Sequence, residues 1–417
     1  MAEARPPLVH LSPLPPMRNG IADYAAALLA RLAAHYRPIC VVEDPGAVDA
    51  GLDGVGELVA AEDYLRDADR FAGMRHLAHL GNNPDHGFVL DALRRNPGVV
   101  VLHDLTILYL LQSRLRRRGE DAAALAGTAR RLAGEDAARL AEAAFVDRVP
   151  LMSLYAEVPG LELMRDVATA VITHSRQGEI RLRAAGFDGA VSVIPHFARV
   201  PPPRARAESR AEWRRRLGLP ERGFLLASPG FVSPNKIIGV VLRALAQLPP
   251  EAGDWRYLVA GENRDPGLRG AIERLGLDNR VMVLDYLPEA AFDGVLAAAD
   301  LLVNLRFPTS GEASGTVCRA LAHGLPCVLS DHGWYAELPD DVAYKITPGR
   351  DAAVVEELAA LLCLAMLDRR GRAEKGRRAA AFAAEMLSPV RAAAGVRAAI
   401  EATREPARGP LQGPPRP

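Results

Sequence analysis

Glu312 stands in a run of small residues, Pro308-Thr309-Ser310-Gly311-Glu312-Ala313-Ser314-Gly315-Thr316. One acid among small side chains is chemistry suited to a phosphorylated sugar. The run follows a predicted apolar strand at 301–305, opens a helix near Thr316, and a further strand is expected at 327–330. A helix start presents unpaired N–H groups and the positive end of its dipole, which favour an anionic group. Small residues at Ala313, Ser314 and Gly315 let a ligand approach the backbone closely, while the Glu312 carboxylate can accept hydrogen bonds from sugar hydroxyls. The segment reads as a cradle for a nucleotide-linked sugar.

Other residues have types and positions that could serve the same chemistry. Ser228-Pro229-Gly230-Phe231-Val232-Ser233-Pro234-Asn235-Lys236 follows a predicted strand and opens a helix, and a lysine at such a junction supplies a mobile charge for a diphosphate. Pro13 to Tyr24 (PLPPMRNGIADY) is a strand-to-helix junction at the mouth of a sheet, where open α/β proteins place ligands. There Gly20 permits a tight turn, Arg18 and Asn19 are candidates to face a cleft, and an ordinary N-cap turn is the plain alternative. The predicted strand at 99–102 ends in His103 and Asp104, and another ends in Gly81-Asn82-Asn83-Pro84. His103 is either a site residue or a histidine satisfied in the core; Asn82 and Asn83 are either cleft residues or turn formers. Ser175 reads as a helix N-cap. Asp67-Ala68-Asp69 has a metal-binding D-x-D spacing but lies in a charged, helix-like stretch and reads as a solvated face. The histidines show no metal-ligand spacing, so no metal site is expected.

The elements that must position these residues alternate. A first series of strands is predicted at 8–11, 39–42, 76–80, 98–102, 167–174 and 190–194, with a helical stretch over 105–154. Residues 199–206 (RVPPPRAR) carry no apolar periodicity and read as an interdomain linker. The pattern restarts with strands at 224–228, 257–260, 281–286, 301–305, 327–330 and 343–346, separated by helices, and the chain ends almost wholly helical over 352–402. This is the signature of two α/β domains with parallel sheets. A length of 417 residues agrees with two cores. A formal net charge of +0 gives no argument for nucleic acid binding, and four scattered cysteines suggest neither a disulfide framework nor a metal site. The start lacks a signal-peptide layout and no apolar run is long enough to span a bilayer, so a cytoplasmic location is expected, with the inner face of the membrane left open. The basic stretch Arg114 to Arg118 could touch anionic lipid or be a solvated helix face.

The run around Glu312 resembles the donor-site motif of the family-4 retaining glycosyltransferases, also grouped as glycosyl transferases group 1. The resemblance implies the GT-B fold: two facing Rossmann-like domains with a cleft between them and a C-terminal helix that returns to the first. The expected division is 1–198 for the acceptor-side domain, 199–386 for the donor domain, 387–404 for the returning helix and 405–417 for a disordered tail. By resemblance, His103 and Glu312 are the catalytic-site residues, and Gly20, Lys236, Ala313, Ser314, Gly315 and Arg319 line the donor. Arg18, Asn19, Asn82 and Asn83 belong to the acceptor side or the cleft. The chain departs from the family's pattern twice. The second glutamate expected eight residues after the first is Ala320, or Arg319 with a one-residue gap, and Phe231 holds the place of a usual arginine.

These features together imply transfer of a sugar from a nucleotide diphosphate-sugar to a hydroxyl acceptor, and the resemblance implies retention of configuration. The acceptor would be a glycan, a lipid-linked group or a small molecule. The donor is a co-substrate, and no cofactor is expected. A nucleotide-sugar epimerase of similar fold and a non-catalytic partner subunit are the alternatives.

Overall fold

The computed structural model describes residues 5–49, 51, 55–219 and 223–403. The expected tail, 405–417, lies outside them. The chain forms two compact units, residues 1–194 with 392–417, and residues 195–391.

The first unit is built on strands β1 (Pro7–Leu11), β2 (Arg37–Val42), β3 (Glu57–Ala60), β4 (Arg75–Leu80), β5 (Gly98–Leu102), β6 (Ala168–Thr173) and β7 (Ala190–Val193). They pair in the order β3-β2-β1-β4-β5-β6-β7, all parallel. Central strands such as β5 (GVVVL) are buried along their whole length, as a sheet covered on both faces requires. Val9, Leu11, Ala78, Leu80, Val100 and Leu102 pack into the core on one face. The residues that alternate with them, His10, His79 and Val101, point to the other, where the helix Gly20–Leu32 contributes Tyr24.

The second unit repeats the design with β8 (Phe224–Pro229), β9 (Trp255–Ala260), β10 (Val281–Leu284), β11 (Leu301–Asn304), β12 (Cys327–Ser330) and β13 (Tyr344–Ile346). Their order is β10-β9-β8-β11-β12-β13, again all parallel. Leu226, Val259, Val303 and Val328 enter one core, and Leu225, Leu258, Leu302 and Leu329 enter the core on the opposite face. Strand order reverses between β1 and β4 in the first sheet and between β8 and β11 in the second. Crevices open outside the carboxyl ends of strands at such switch points. The loops there are those after β1 and β4, and those after β8 and β11. These four loops carry Asn19, Asn82, Lys236 and Glu312 respectively.

Two local expectations need correction. Residues 199–206 are not a linker throughout, because a helix runs from Pro203 to Arg216 with proline in its first turn. Its arginines hide the helix from a search for apolar periodicity: Arg206 donates to the His323 carbonyl, and Arg210 and Arg214 both bind Asp300 and nearby carbonyls at the end of the helix Glu289–Ala298. The strand β3 was not anticipated. It is a half-exposed edge strand without a buried apolar run. At the other end of the chain, the helix Pro389–Ala402 buries Val396 and Ile400, and Tyr36 donates to Glu401 at 3.4 Å.

Candidate active site

In the second unit, two loops meet at the switch point. The backbone N–H of Phe307 donates to the Asn235 carbonyl at 2.8 Å, and Arg350 donates to the carbonyls of both Pro234 and Phe307. The loop after β11 is folded around Glu312. Its Oε2 accepts from Thr309 Oγ1 (2.9 Å), the Ser310 N–H (3.0 Å) and Ser310 Oγ (2.7 Å), and its Oε1 accepts from Arg306 Nε at 2.8 Å. Burial alone would raise this carboxyl, but the Arg306 guanidinium and the hydroxyls hold it below the usual glutamate range. Glu312 is therefore ionised, and its first task is to shape the loop that carries it. Oε1 receives a single bond, which leaves that oxygen a lone pair for a hydroxyl. Arg306 in turn is held by Ser330 Oγ at its N–H, and its carbonyl accepts from His332 Nε2.

The helix Gly315–Ala322 starts immediately after this loop, with Ser314 as N-cap accepting from Val317 N–H at 3.3 Å. Its first-turn amides have no i−4 partner by helix geometry. Gly315 faces His196, whose ring atoms lie 3.5 Å from where a Cβ would be.

Lys236 is buried, and its Nζ donates to the Pro229 carbonyl at 3.2 Å. Burial pushes its amine well below the usual lysine range; Arg306 lowers it further and Glu312 partly restores it. Gly230 has φ +100°, and a Cβ there would stand 2.9 Å from Lys236 Nζ and 3.4 Å from Thr316 Oγ1. The missing side chain thus leaves a niche into which the Lys236 amine, a hydroxyl and a helix start converge. An arriving anion would restore the lysine's charge and find donors already in place.

Arg319 does not join this group. Its guanidinium binds Asp293, donates to the Glu289 carbonyl and lies 4.5 Å over the Phe292 ring, all on the neighbouring helix Glu289–Ala298. Ala320 is buried in the core. Trp334 and Tyr335 are core residues, and the Tyr335 hydroxyl donates to Asn304 at 3.1 Å.

In the first unit, His103 belongs to a chain of buried histidines. His174 Nδ1 lies 2.9 Å from the Ile194 carbonyl, which can only accept, so Nδ1 carries the proton. In the neutral ring, His174 Nε2 then accepts from His103 Nδ1 at 3.2 Å, and His103 Nε2 accepts from His79 Nδ1 at 3.0 Å. Tyr24 packs edge-on against His79, His103 and His174. Burial pushes His10 and His174 down to about 4 and His79 well below the histidine range, so these three rings are neutral near pH 7. Both ring nitrogens of His103 face other histidines; a ligand hydroxyl would have to displace one of them.

The asparagines serve as caps. Asn19 caps the helix Gly20–Leu32 through Ile21 N–H and donates to Asp85; Asn82 Oδ1 accepts from the N–H groups of Tyr109 and Leu110; Asn83 accepts from Asp85 N–H. Arg18 is exposed, and a Cβ on Gly20 would meet open space. Ser175 caps its helix through Gly178 N–H. Arg114 is buried against Asp91, which removes it from the basic face considered for lipid. Among the described residues, no group of three His, Cys, Asp or Glu side chains is placed to hold a metal ion, and no helix is long and apolar enough to cross a membrane. Sequence reasoning missed Arg306, Thr316 and His196. Arg306 at the end of an apolar strand, six residues before an acid, was the available signal.

The family model for glycosyl transferases group 1 matches residues 209–378, which contain Lys236, Arg306 and the whole Glu312 loop. This segment is similar to the domain of group 1 glycosyltransferases. It is 35% identical over 163 residues to a D-inositol 3-phosphate glycosyltransferase of Salinispora arenicola, a match covering 36% of this chain and 35% of the relative. A 2-deoxystreptamine glucosyltransferase of Streptomyces kanamyceticus is 27% identical over 222 residues, covering 51% of this chain and 54% of the other. The chain thus spans about a third to a half of the length of these curated relatives. Among solved structures, Anabaena HepE in complex with UDP-glucose superposes with TM-score 0.68 at 18% identity, covering 95% of this chain and 99% of that one. WaaG, a glycosyltransferase involved in lipopolysaccharide biosynthesis, gives TM-score 0.61 at 14% identity over 93% and 98% of the two chains. At these identities the likeness shows the fold: the two Rossmann-like domains are those of a GT-B protein.

Proposed function

We propose that this protein transfers a sugar from a nucleoside diphosphate donor to a hydroxyl acceptor with retention of configuration. The observation that carries the reading is the niche at Gly230, where Lys236 Nζ and Thr316 Oγ1 converge beside the loop ordered by Glu312. In the reaction, the bond between the anomeric carbon and the diphosphate oxygen breaks and its electron pair leaves with the diphosphate. The acceptor oxygen bonds to the same carbon, and its proton passes to the departing diphosphate or to solvent.

Charge grows on the leaving group, so donors fixed in advance in a poorly hydrated niche are worth more there than in water. Lys236 and the first-turn amides of the helix Gly315–Ala322 fill that role. Ala313, Ser314 and Gly315 keep the approach open. The free lone pair on Glu312 Oε1 takes a sugar hydroxyl, and Arg306 holds the carboxylate in register. In the first unit, Gly20 and Arg18 are exposed in the loop after β1 and serve the acceptor or the phosphate. His103 orients sugar or acceptor by exchanging one of its histidine partners for a ligand hydroxyl. The acceptor classes expected from the sequence all remain compatible, and peripheral contact with a membrane belongs with the lipid-linked class.

A calorimetric titration with uridine, guanosine and adenosine diphosphates tests the reading. Binding selective for one base, weakened in Lys236→Ala, supports the donor site. Wild-type protein that binds none of them is instead a non-catalytic relative. Incubation with the matching nucleotide-sugar alone separates transfer from epimerisation, since only an epimerase converts the sugar without an acceptor. The anomeric configuration of the product, read by NMR, decides retention.

A further inference from the structure

A diphosphate carries more negative charge than one ammonium can offset, and Arg306 is already matched by Glu312. Arg350 donates to the Pro234 and Phe307 carbonyls. Arg264, carried by the segment after β9, packs on Phe231, the residue next to Gly230. Beyond the end of β8, the backbone at 230–232 continues alongside the backbone after β9. Gly230 N–H donates to Ala260, Val232 N–H to Glu262 at 2.9 Å, and Arg264 N–H to Val232 at 2.8 Å, with a parallel bridge between Val232 and Asn263.

Gly261 is what permits this close pairing. Its φ is +143°, and a Cβ there would come 2.4 Å from the Gly230 carbonyl oxygen. The extension sets the Arg264 guanidinium 4.5 Å over the ring of Phe231, the residue next to Gly230. Among the described residues its ion pair is with Glu262, at 2.8 Å, and the two side chains are 57% and 41% exposed. Such an exposed pair holds an arginine weakly. Stacking on an aromatic face orients a guanidinium without using its five donors.

We propose that Arg264, resting on Phe231, is the second cation of the donor site and pairs with the diphosphate of the nucleotide. Phe231 is its platform, and Glu262 holds the guanidinium until the anion arrives. Asp265 and Glu312 are the other acids near these loops; Asp265 turns its carboxylate to Gly267 N–H and Glu312 is matched by Arg306. This inference rests on the donor-site reading above.

Calorimetry with uridine and guanosine diphosphates and with the bare nucleosides tests it, using Arg264→Gln and the double variant Arg264→Gln/Phe231→Arg. Arg264→Gln should weaken diphosphate binding about tenfold while leaving the nucleoside unchanged, and should flatten the salt dependence. The double variant, which places a guanidinium on the platform itself, should recover part of the loss. Arg264→Gln with wild-type diphosphate affinity, or with equal losses for diphosphate and nucleoside, overturns the role of Arg264 and leaves the donor site standing. Wild-type protein that binds no nucleotide overturns the donor site, and this proposal with it.

Discussion

Each sheet ends in a cluster of buried polar side chains, and the two clusters resolve burial in opposite ways. At the first sheet, His10, His79 and His174 shed their charge. Neutral imidazoles can donate with one nitrogen and accept with the other, so three of them form a directional chain anchored on the Ile194 carbonyl. At the second sheet, Lys236, Arg306 and Glu312 lie buried within electrostatic reach of one another. Arg306 and Glu312 neutralise each other, and the lysine is left facing a glycine niche with a single carbonyl partner. In the first cluster His103 and His174 find partners among the neighbouring groups, while both ring nitrogens of His10 and the Nε2 of His79 have none among the described residues. The second gains from an anion, which is what favours the second unit in the donor-site proposal.

Acid should break this contrast most strongly. His10, His86 and His174 titrate at about 4 when folded, below the 6.5 of a free histidine. Their stabilisation is therefore complete above pH 6.5 and is lost progressively as pH falls toward 4. At about 1.4 kcal/mol per pH unit, the fall from 6.5 to about 4 is on the order of 3 kcal/mol for each ring. Glu312 is held below the ordinary glutamate value and protects the second unit until more acid pH, with His332 adding a milder shift of the histidine kind. Hydrogen exchange, corrected for its intrinsic pH dependence, should show the first unit losing protection between pH 6.5 and 4.5 before the second. Equal loss in both units would remove the distinction.

Glu312→Gln comes next. It leaves Arg306 buried without its counter-charge, at a cost of about 3–5 kcal/mol, and loosens the loop that Thr309 and Ser310 help to form. Urea unfolding measures the cost, and nucleotide affinity should fall with it. Unchanged stability would mean that the pair is solvated rather than structural. Smaller again, His174→Phe keeps the ring's shape but leaves the Ile194 carbonyl and the His103 Nδ1–H without partners, for about 1–3 kcal/mol. In labelled protein, the His103 proton should move from Nδ1 toward Nε2; a proton on Nε2 in the wild type would refute the chain's direction. Gly20→Ala should have the least effect on stability, between neutral and about 1 kcal/mol of gain, because its Cβ meets open space on a helix. A loss of turnover without loss of stability would then place a ligand at Gly20.

The alternation of strands and helices was plain in the sequence because buried parallel strands are continuous apolar runs. The run VVVL before His103 and LLVN before Arg306 both lie where expected. The misses share one cause, that side chains carried the information through partners distant in sequence. The helix Pro203–Arg216 packs through guanidinium groups that meet Asp300 and the end of another helix, so no apolar stripe announces it. Arg319 sits one residue from the expected second acid, but Asp293 and Phe292 draw it to another helix. Asn82 and Asn83 have the composition of a cleft or of a turn, and the backbone N–H groups they cap were not legible from that composition.

The sequence alone determined two parallel α/β units and the small-residue loop around Glu312, because period, burial and turn chemistry are local properties of the chain. It also marked Lys236 and His103, whose places at strand ends follow from that local pattern. Only the tertiary structure decided what surrounds them. Strand order brings Lys236, Arg306 and Glu312 together at one switch point, and it aligns His79, His103 and His174 on one face of the other sheet. Charge state and hydrogen-bond direction depend on neighbours far apart in sequence, such as Lys236 and Glu312 or His79 and His174, and no spacing rule along the chain encodes those distances.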